Sequence, residues 1–195
     1  MNSKTSICNM ALAYLGQEPI TSVNQDNERA RWMGLFYEPV RDEVLRTHYW
    51  AFATVEKPLV AVTYSELLPG QFAYKYPADA LFIRRVASPQ APHKPLLFTE
   101  RFDENAQMRL LVAPCAQAVA CYTRRMLDET QFDPSFAKAL ALALASDAAL
   151  ALTADITLAA HLQQQYMLYL EEARRSNMAE NLSFQLQTDA FSEVR

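Results

Sequence analysis

The stretch from Asn24 to Thr54 changes its apolar spacing partway along, and this change limits the fold more than any other feature of the sequence. In its first part apolar residues recur at steps of three and four, namely Ala30, Met33, Tyr37, Val40 and Val44. This spacing predicts an amphipathic helix of about six turns, capped by Asn24 and kinked near Leu35 because Pro39 lacks an N–H. After Arg46 the residues become aromatic and the period approaches two, so we expect the helix to lead into a sheet.

Three further stretches carry the spacing and the end signals of helices. The first starts within the opening three residues and ends at Gly16, the residue type best suited to a left-handed helix end. The second follows Asp133 and Pro134, an N-cap and a proline at the first helical position, and the third follows Asp155. Together the four segments predict a helical body built from both ends of the chain.

Between Trp50 and Met126 the apolar residues instead form short or alternating runs, separated by Pro, Asp, Asn and Gly. Seven runs have the character of strands: FAT, LVAV, FAYKY, LFIRRV, LLFT, MRLLVA and AVACYTRR. They predict a small antiparallel sheet or sandwich inserted between the helices. The segment from Ser88 to Pro95 is expected to be an exposed, proline-rich loop.

The predicted fold class is therefore α+β: a four-helix body, an inserted antiparallel β-sheet or sandwich, and an extended C-terminal arm. We place the helical domain at residues 1–49 and 127–178, the β-rich domain at 50–126 and the arm at 179–195. The arm is polar, with spaced apolar residues that cannot form a core of their own: Leu182, Phe184, Leu186 and Phe191. Two interpretations stay open, an arm that binds a partner and a flexible end that packs on its own subunit.

The composition indicates a folded, soluble protein, with 51% hydrophobic residues and a formal charge of −4. An acidic balance argues against a dedicated nucleic-acid binder but leaves room for a basic patch. Three cysteines without metal-ligand spacing favour buried thiols and a reducing compartment. The start of the chain lacks the pattern of a signal peptide, and the alanine-rich run 137–152 is expected to be too short and too weakly apolar for a bilayer. No membrane partner is predicted.

No group of residues in the sequence predicts a catalytic, cofactor or metal site. With only three glycines there is no clustered phosphate-binding loop, and no His has a second ligand at metal spacing. Adjacent carboxylates diverge on a helix or strand, so they indicate solvated faces. Two basic pairs remain as candidates for contact with a partner or with DNA phosphate, ordinary surface charge being the alternative: Arg84, Arg85, Arg124 and Arg125.

Five phrases of the sequence, taken in their order and spacing, resemble one known family. They are ICNMALAYLGQEPITSV, FYEPVRDEVLRTHYWAFAT, YPADALFIRRV, FDPSFAKALALALASDAALALT and an ending of the type DAF. They resemble the tail tubular protein A family, the head-to-tail adaptors of short-tailed bacteriophages, over most of the chain.

The resemblance implies a structural virion protein of the neck and tail, made in the host cytoplasm and without enzymatic activity or cofactor. Its helical domain would assemble with copies of itself into a ring, expected to be a dodecamer, and its sheet region would face the tail nozzle protein. The arm would reach the portal protein, with Phe184 and Phe191 as anchors. Genomic DNA would pass through the channel during ejection without sequence-specific binding.

Three other functions remain open. A head-completion protein of another phage type would share the alanine-rich helix 134–153 but have a reduced sheet. A virion-associated cell-wall hydrolase would need a catalytic group that the sequence does not display. A helix-turn-helix regulator would use the first two helices, although the second is long and carries as many acids as bases on its exposed face.

Overall fold

The computed structural model describes residues 2–192 of the chain, with side chains for residues 2–173 and for Arg175. The chain divides into two compact units. Met1–His48 together with Asp128–Arg195 form the first, which we call the helical unit, and Tyr49–Leu127 form the second, the sheet unit. Among the described residues there are four α-helices and two antiparallel four-stranded sheets. The predicted α+β fold class, with a sheet region inserted into a four-helix body, is confirmed.

The helical unit is organised around its third helix, which contacts the other three. Its fully buried side chains include Phe136, Leu140 and Leu144 from that helix, with Met33 and Tyr37 from the second. The helices are α1 (Lys4–Tyr14), α2 (Glu28–Thr47), α3 (Pro134–Thr153) and α4 (Ile156–Ser192), and a short 3₁₀ helix (Glu129–Gln131) precedes α3. The small side chains of the alanines on α3 allow the neighbouring helices to pack close to its backbone.

The helix ends follow the capping signals of the sequence with one exception. Gly16 has φ of 65° just after α1, and the Asp133 carboxylate accepts a hydrogen bond from Phe136 N at 2.7 Å at the start of α3. The prediction that Asn24 caps α2 is wrong. Asn24 lies within a turn, and Asn27 is the cap, accepting from Ala30 N at 2.7 Å.

The sheet unit packs one sheet on the other around a shared core that includes Tyr74, Ile83, Val86, Leu111 and Tyr122. Sheet A has the strand order β1-β8-β4-β5 and sheet B the order β2-β3-β7-β6. A short 3₁₀ helix (Ala51–Ala53) leads into the first strand. The strands are β1 (Thr54–Pro58), β2 (Ala61–Val62), β3 (Phe72–Lys75), β4 (Ala80–Ser88), β5 (Ala91–Leu96), β6 (Thr99–Asp103), β7 (Met108–Ala113) and β8 (Val119–Arg124).

Several predicted strand and loop boundaries in the sheet unit are wrong. Residues 91–96, expected to lie mostly in an exposed loop, form β5. This strand is at the edge of sheet A and pairs with β4 alone, a position that tolerates Pro92 and Pro95 because one side of the strand needs no ladder donors. Of the run LLFT, only Leu97 and Phe98 lie between β5 and β6, and FAT is mostly the 3₁₀ helix.

One described helix, α3, is long and apolar enough, by length and composition, to cross a membrane, with a mean hydropathy of 1.5. By this measure the expectation that the run is too short and too weakly apolar is wrong. Within the 18-residue apolar window of α3, 61% of the residues are buried inside the protein. The apolar character of α3 is accounted for by its packing against α1, α2 and α4.

Candidate interaction surfaces

The outer side of α2 carries a set of apolar residues that does not belong to the core. Trp32 and Phe36 stack with their ring centroids 5.7 Å apart and their planes 12° apart, and Leu35 beside them is 61% exposed. We call Trp32, Leu35 and Phe36 the α2 ridge. A shallow depression of about 400 Å³ lies along it, bordered by Glu28 and Arg31. Trp32 and Phe36 are half-buried, so the ridge combines a partly exposed aromatic pair with an exposed leucine.

The ridge exists because α2 has two apolar stripes. The core stripe includes Met33 and Tyr37, both fully buried. Trp32 and Phe36 precede these residues by one position and repeat the same four-residue step, so they fall about 100° away around the helix. The sequence analysis missed this surface because it followed only the core stripe. A second series with the same period was the signal that could have revealed it.

A groove lies on a different part of the helical unit, between the end of α1, α3 and α4. Leu168 at its edge is 63% exposed and Tyr14 is 38% exposed, whereas Leu142 is buried at the base. The groove has a volume of about 380 Å³, and we call it the α4 groove. Its lining consists of Tyr14, Lys138, Leu142, Gln165, Leu168, Tyr169 and Glu172.

Each of the two surfaces carries one cation and one carboxylate beside its apolar residues. The ridge has Arg31 and Glu28, and the groove has Lys138 and Glu172. The Lys138 ammonium nitrogen lies 4.6 Å from the centroid of the Tyr169 ring, and burial raises the pKa of that tyrosine. The two surfaces therefore lie on different parts of the helical unit and differ in their residues, but each offers both signs of charge to a neighbour.

Arg84 and Arg85, predicted as contact residues, both reach side chains of sheet A. Arg84 Nε donates to Thr123 Oγ1 at 2.9 Å, and Arg85 Nη2 lies 3.4 Å from Glu56 Oε2. Strict alternation would have placed the two arginines on opposite faces. The register shift between Ile83 and Arg85 interrupts that alternation. Both arginines therefore contact side chains of other strands in the same sheet, Thr123 on β8 and Glu56 on β1.

Tyr49 and Cys121 form a linked pair near Arg84. The Tyr49 hydroxyl and the Cys121 thiol are 2.8 Å apart, and the Arg84 guanidinium lies 5.4 Å from the Tyr49 ring centroid. Burial, together with the hydrogen bond to the thiol, raises the pKa of Tyr49 to about 12. Tyr49 is therefore a neutral phenol at physiological pH, and its contact with Cys121 connects the first residue of the sheet unit to β8.

Arg124 and Arg125, the second predicted pair, lie at one end of the sheet unit. Arg124 is the last residue of β8, and its Nε is buried without a hydrogen-bond partner. Arg125 is exposed, and its backbone N–H donates to Asp79 O at 2.7 Å. This end of the sheet unit also contains Lys75 and Arg109, which no local sequence pattern groups with them.

The predicted portal-binding residues fall in the C-terminal part of α4, whose backbone continues to Ser192. Their side chains lie outside those that the structure describes: Leu182, Phe184, Leu186 and Phe191. The prediction that they anchor an arm is neither supported nor contradicted by a described contact.

Within residues 2–173, and at Arg175, no three His, Cys, Asp or Glu side chains are grouped as a metal site would require. Cys8 and Cys121 are buried and Cys115 is half-buried, all as free thiols. Comparison with known proteins found no family model that matches the chain and no match among curated proteins.

Proposed function

We propose that this protein is a structural adaptor of a short-tailed bacteriophage, which assembles side by side into a ring that joins the portal to the tail nozzle. The resemblance of its sequence phrases to tail tubular protein A supports this role. The observation that carries the proposal is that the helical unit has two unlike apolar surfaces, the α2 ridge and the α4 groove.

Two unlike surfaces suit a ring, whereas a two-fold dimer uses one surface twice. A contact between the ridge of one copy and the groove of the next is heterologous, and it closes into a ring if the rotation fits. In this arrangement Glu28 would lie near Lys138, and Arg31 near Glu172, of the neighbouring copy. Opposite charges at the edge of an apolar contact fix its register and exclude other pairings.

Each contact is expected to be weak when taken alone. Leu35 and Leu168 are both more than half exposed, so covering each contributes roughly 1–2 kcal/mol. Every copy in a closed ring makes two such contacts, and the last copy to enter makes both at once. Assembly should therefore depend strongly on concentration and on a partner that gathers the copies, a role that the proposal gives to the portal.

The other parts of the chain have roles in the same proposal. The stretch 179–195 docks on the portal, with Leu182, Phe184, Leu186 and Phe191 as its apolar contacts, and the sheet unit faces the tail nozzle. In this proposal the protein acts through its shape, without catalytic residues or a cofactor. It is made in the host cytoplasm and ends in the neck of the virion, where it forms part of the channel for the ejected DNA.

The test is the mass of the protein in solution, measured by light scattering with negative-stain imaging, alone and with portal protein. We expect ring-shaped particles, twelve copies of the 22.1 kDa chain in the fully assembled form. Removing residues 179–195 is expected to abolish portal binding while leaving the helical unit folded. A monomer at every concentration, unchanged by portal, would contradict the proposal.

A further inference from the structure

One end of the sheet unit contains a cavity of about 290 Å³ lined by three basic side chains. Lys75 ends β3, Arg109 belongs to β7 and Arg125 follows β8, so the cavity gathers residues that are far apart in sequence. All three are exposed. Tyr76 and Met108 are among the uncharged residues between them. Of the described residues that line this cavity, none is Asp or Glu.

Arg109 is held in place at the mouth of the cavity. Its guanidinium carbon lies 3.8 Å from the centroid of the Tyr76 ring, and Nη2 donates to Glu100 Oε2 at 2.7 Å. The hydrogen bond to Glu100 raises the pKa of Arg109, so the group is a permanent cation. A guanidinium held by stacking and by one carboxylate loses little freedom when it binds an anion with its remaining donors.

Asp79 lies in the chain between Ala78 and Ala80, two residues of the cavity lining. Its carboxylate accepts from the Tyr122 hydroxyl at 2.9 Å and lies 3.5 Å from Lys57 Nζ. Arg124, which precedes Arg125 in the chain, has a buried Nε without a hydrogen-bond partner. The carboxylate of Asp79 is therefore held by Tyr122 and Lys57, which do not line the cavity.

The charge of the whole chain is divided unevenly between the two units. Residues 49–127 contain nine Lys and Arg against six Asp and Glu, a formal charge of +3. The remaining residues contain nine against sixteen, a formal charge of −7. The overall acidity, which argues against nucleic-acid binding, therefore belongs to the helical unit alone.

We propose that this basic end, with Lys75, Arg109 and Arg125, binds the phosphate groups of duplex nucleic acid without reading its sequence. Basic side chains around a small polar cavity suit phosphate oxygens, which are the main target of non-specific contacts. Single strands are a poorer fit, because they are held by bases stacked on open aromatic faces. The face of Tyr76 nearest the cavity is covered by Arg109, and the residue is 8% exposed.

This inference goes beyond the proposed adaptor role, because it concerns residues of the sheet unit and does not require a ring. The experiment uses the whole chain. Binding is measured by fluorescence anisotropy with a labelled 20-bp duplex of random sequence at several salt concentrations. The test variant combines Lys75→Gln and Arg125→Gln. The control combines Lys94→Gln on β5 with Arg175→Gln on α4, two exposed residues that are not part of the cavity lining, so both proteins carry the same net charge.

We expect the test variant to bind the duplex at least about tenfold more weakly, since each lost contact involves a charged group. The slope of log affinity against log salt should fall by about two, one for each phosphate contact removed. The control should stay within about twofold of the unaltered protein. Inorganic phosphate, added at constant ionic strength, should compete for the same site.

Three results would overturn the inference: no duplex binding at low salt, equal weakening in test variant and control, or binding of inorganic phosphate with no binding of duplex. Repeating the series in a Leu35→Glu background, which removes the ridge contact, separates the two proposals. Duplex binding that still depends on Lys75 and Arg125 there supports the phosphate site, whatever the outcome for the ring.

Discussion

The two units of this protein are built and charged in different ways. The helical unit is acidic, has a core dominated by one alanine-rich helix, and presents apolar surfaces on α2 and beside α4. The sheet unit is basic, has an aromatic core between two sheets, and presents a polar cavity lined by cations. The difference supports the two proposals, which give protein contacts to the helical unit and phosphate contacts to the sheet unit.

The largest effect is expected from truncating one core at a time. Leu140→Ala removes a fully buried side chain from α3, and Leu111→Ala removes one from β7 in the sheet unit. Each should lower the free energy of unfolding of its own unit by about 2–5 kcal/mol. Hydrogen exchange measured peptide by peptide should show faster exchange mainly in the unit that carries the change. Equal loss of protection in both units would show that the two cores do not stabilise their units independently.

A smaller effect is expected from a matched pair of tyrosines. Tyr37 OH donates to Glu129 Oε1 at 3.2 Å in the helical unit, and Tyr122 OH donates to Asp79 Oδ1 at 2.9 Å in the sheet unit. Replacing either with Phe should cost about 1–3 kcal/mol, as for hydrogen bonds to charged groups. Tyr122→Phe should be the more harmful because its bond is shorter and Asp79 also holds Lys57. Chemical denaturation measures the free energy of unfolding of both variants. A smaller loss for Tyr122→Phe than for Tyr37→Phe would contradict this ranking.

The smallest effect is expected at Asp147 on α3. Partial burial, and then the charge of Glu43, raise the pKa of this carboxyl, although the residue is partly exposed. A raised pKa means that the folded state favours the protonated form of the carboxyl. Its contribution to the stability of the fold is therefore present at low pH and is lost as the pH rises above the usual carboxyl range. Asp147→Asn should raise the Tm of the helical unit at pH 7 by up to about 2 °C.

That gain should vanish below the ordinary pKa of Asp, where the wild-type side chain is also uncharged. Thermal unfolding followed by far-UV circular dichroism at several pH values measures both limits. A variant with lower Tm at pH 7, or with a gain that persists in acid, would show that the carboxylate makes a favourable contact at this position.

The sequence predicted the helical unit better than the sheet unit, for a physical reason. Helix ends depend on nearby residues, so Asp133 and Gly16 were informative on their own. Asn24 failed as a cap because Asn27, three residues later, offers the same side chain, and a local turn decided between them. Strand boundaries depend on pairing with distant segments, which explains why β5, with two prolines and polar residues, was predicted as a loop.

The candidate surfaces were less predictable than the fold. The arginine pairs could be recognised as pairs, but the register shift at Ile83 and the strand pairing decided what each residue contacts. The basic cavity joins Lys75, Arg109 and Arg125 through three strands, so no local pattern contains it. The α2 ridge is different, because its spacing is visible in the sequence. It was overlooked because one apolar stripe was sufficient to explain the helix.

The most direct test of a heterologous ring uses two variants that each lose one surface. Leu35→Glu damages the α2 ridge, Leu168→Glu damages the α4 groove, and Leu97→Glu, at a 92% exposed position in the sheet unit, serves as the matched control. Neither surface variant should form rings alone, whereas the control should assemble as the unaltered protein does.

The decisive measurement is light scattering of the two surface variants mixed at concentrations raised well above those at which the unaltered protein assembles, because each pair is held by a single weak contact. The mixture has one intact ridge and one intact groove, so the account predicts one-to-one pairs that grow no further. Rings formed by either variant alone, or a mixture that stays monomeric, would contradict the claim that the ridge of one copy binds the groove of the next.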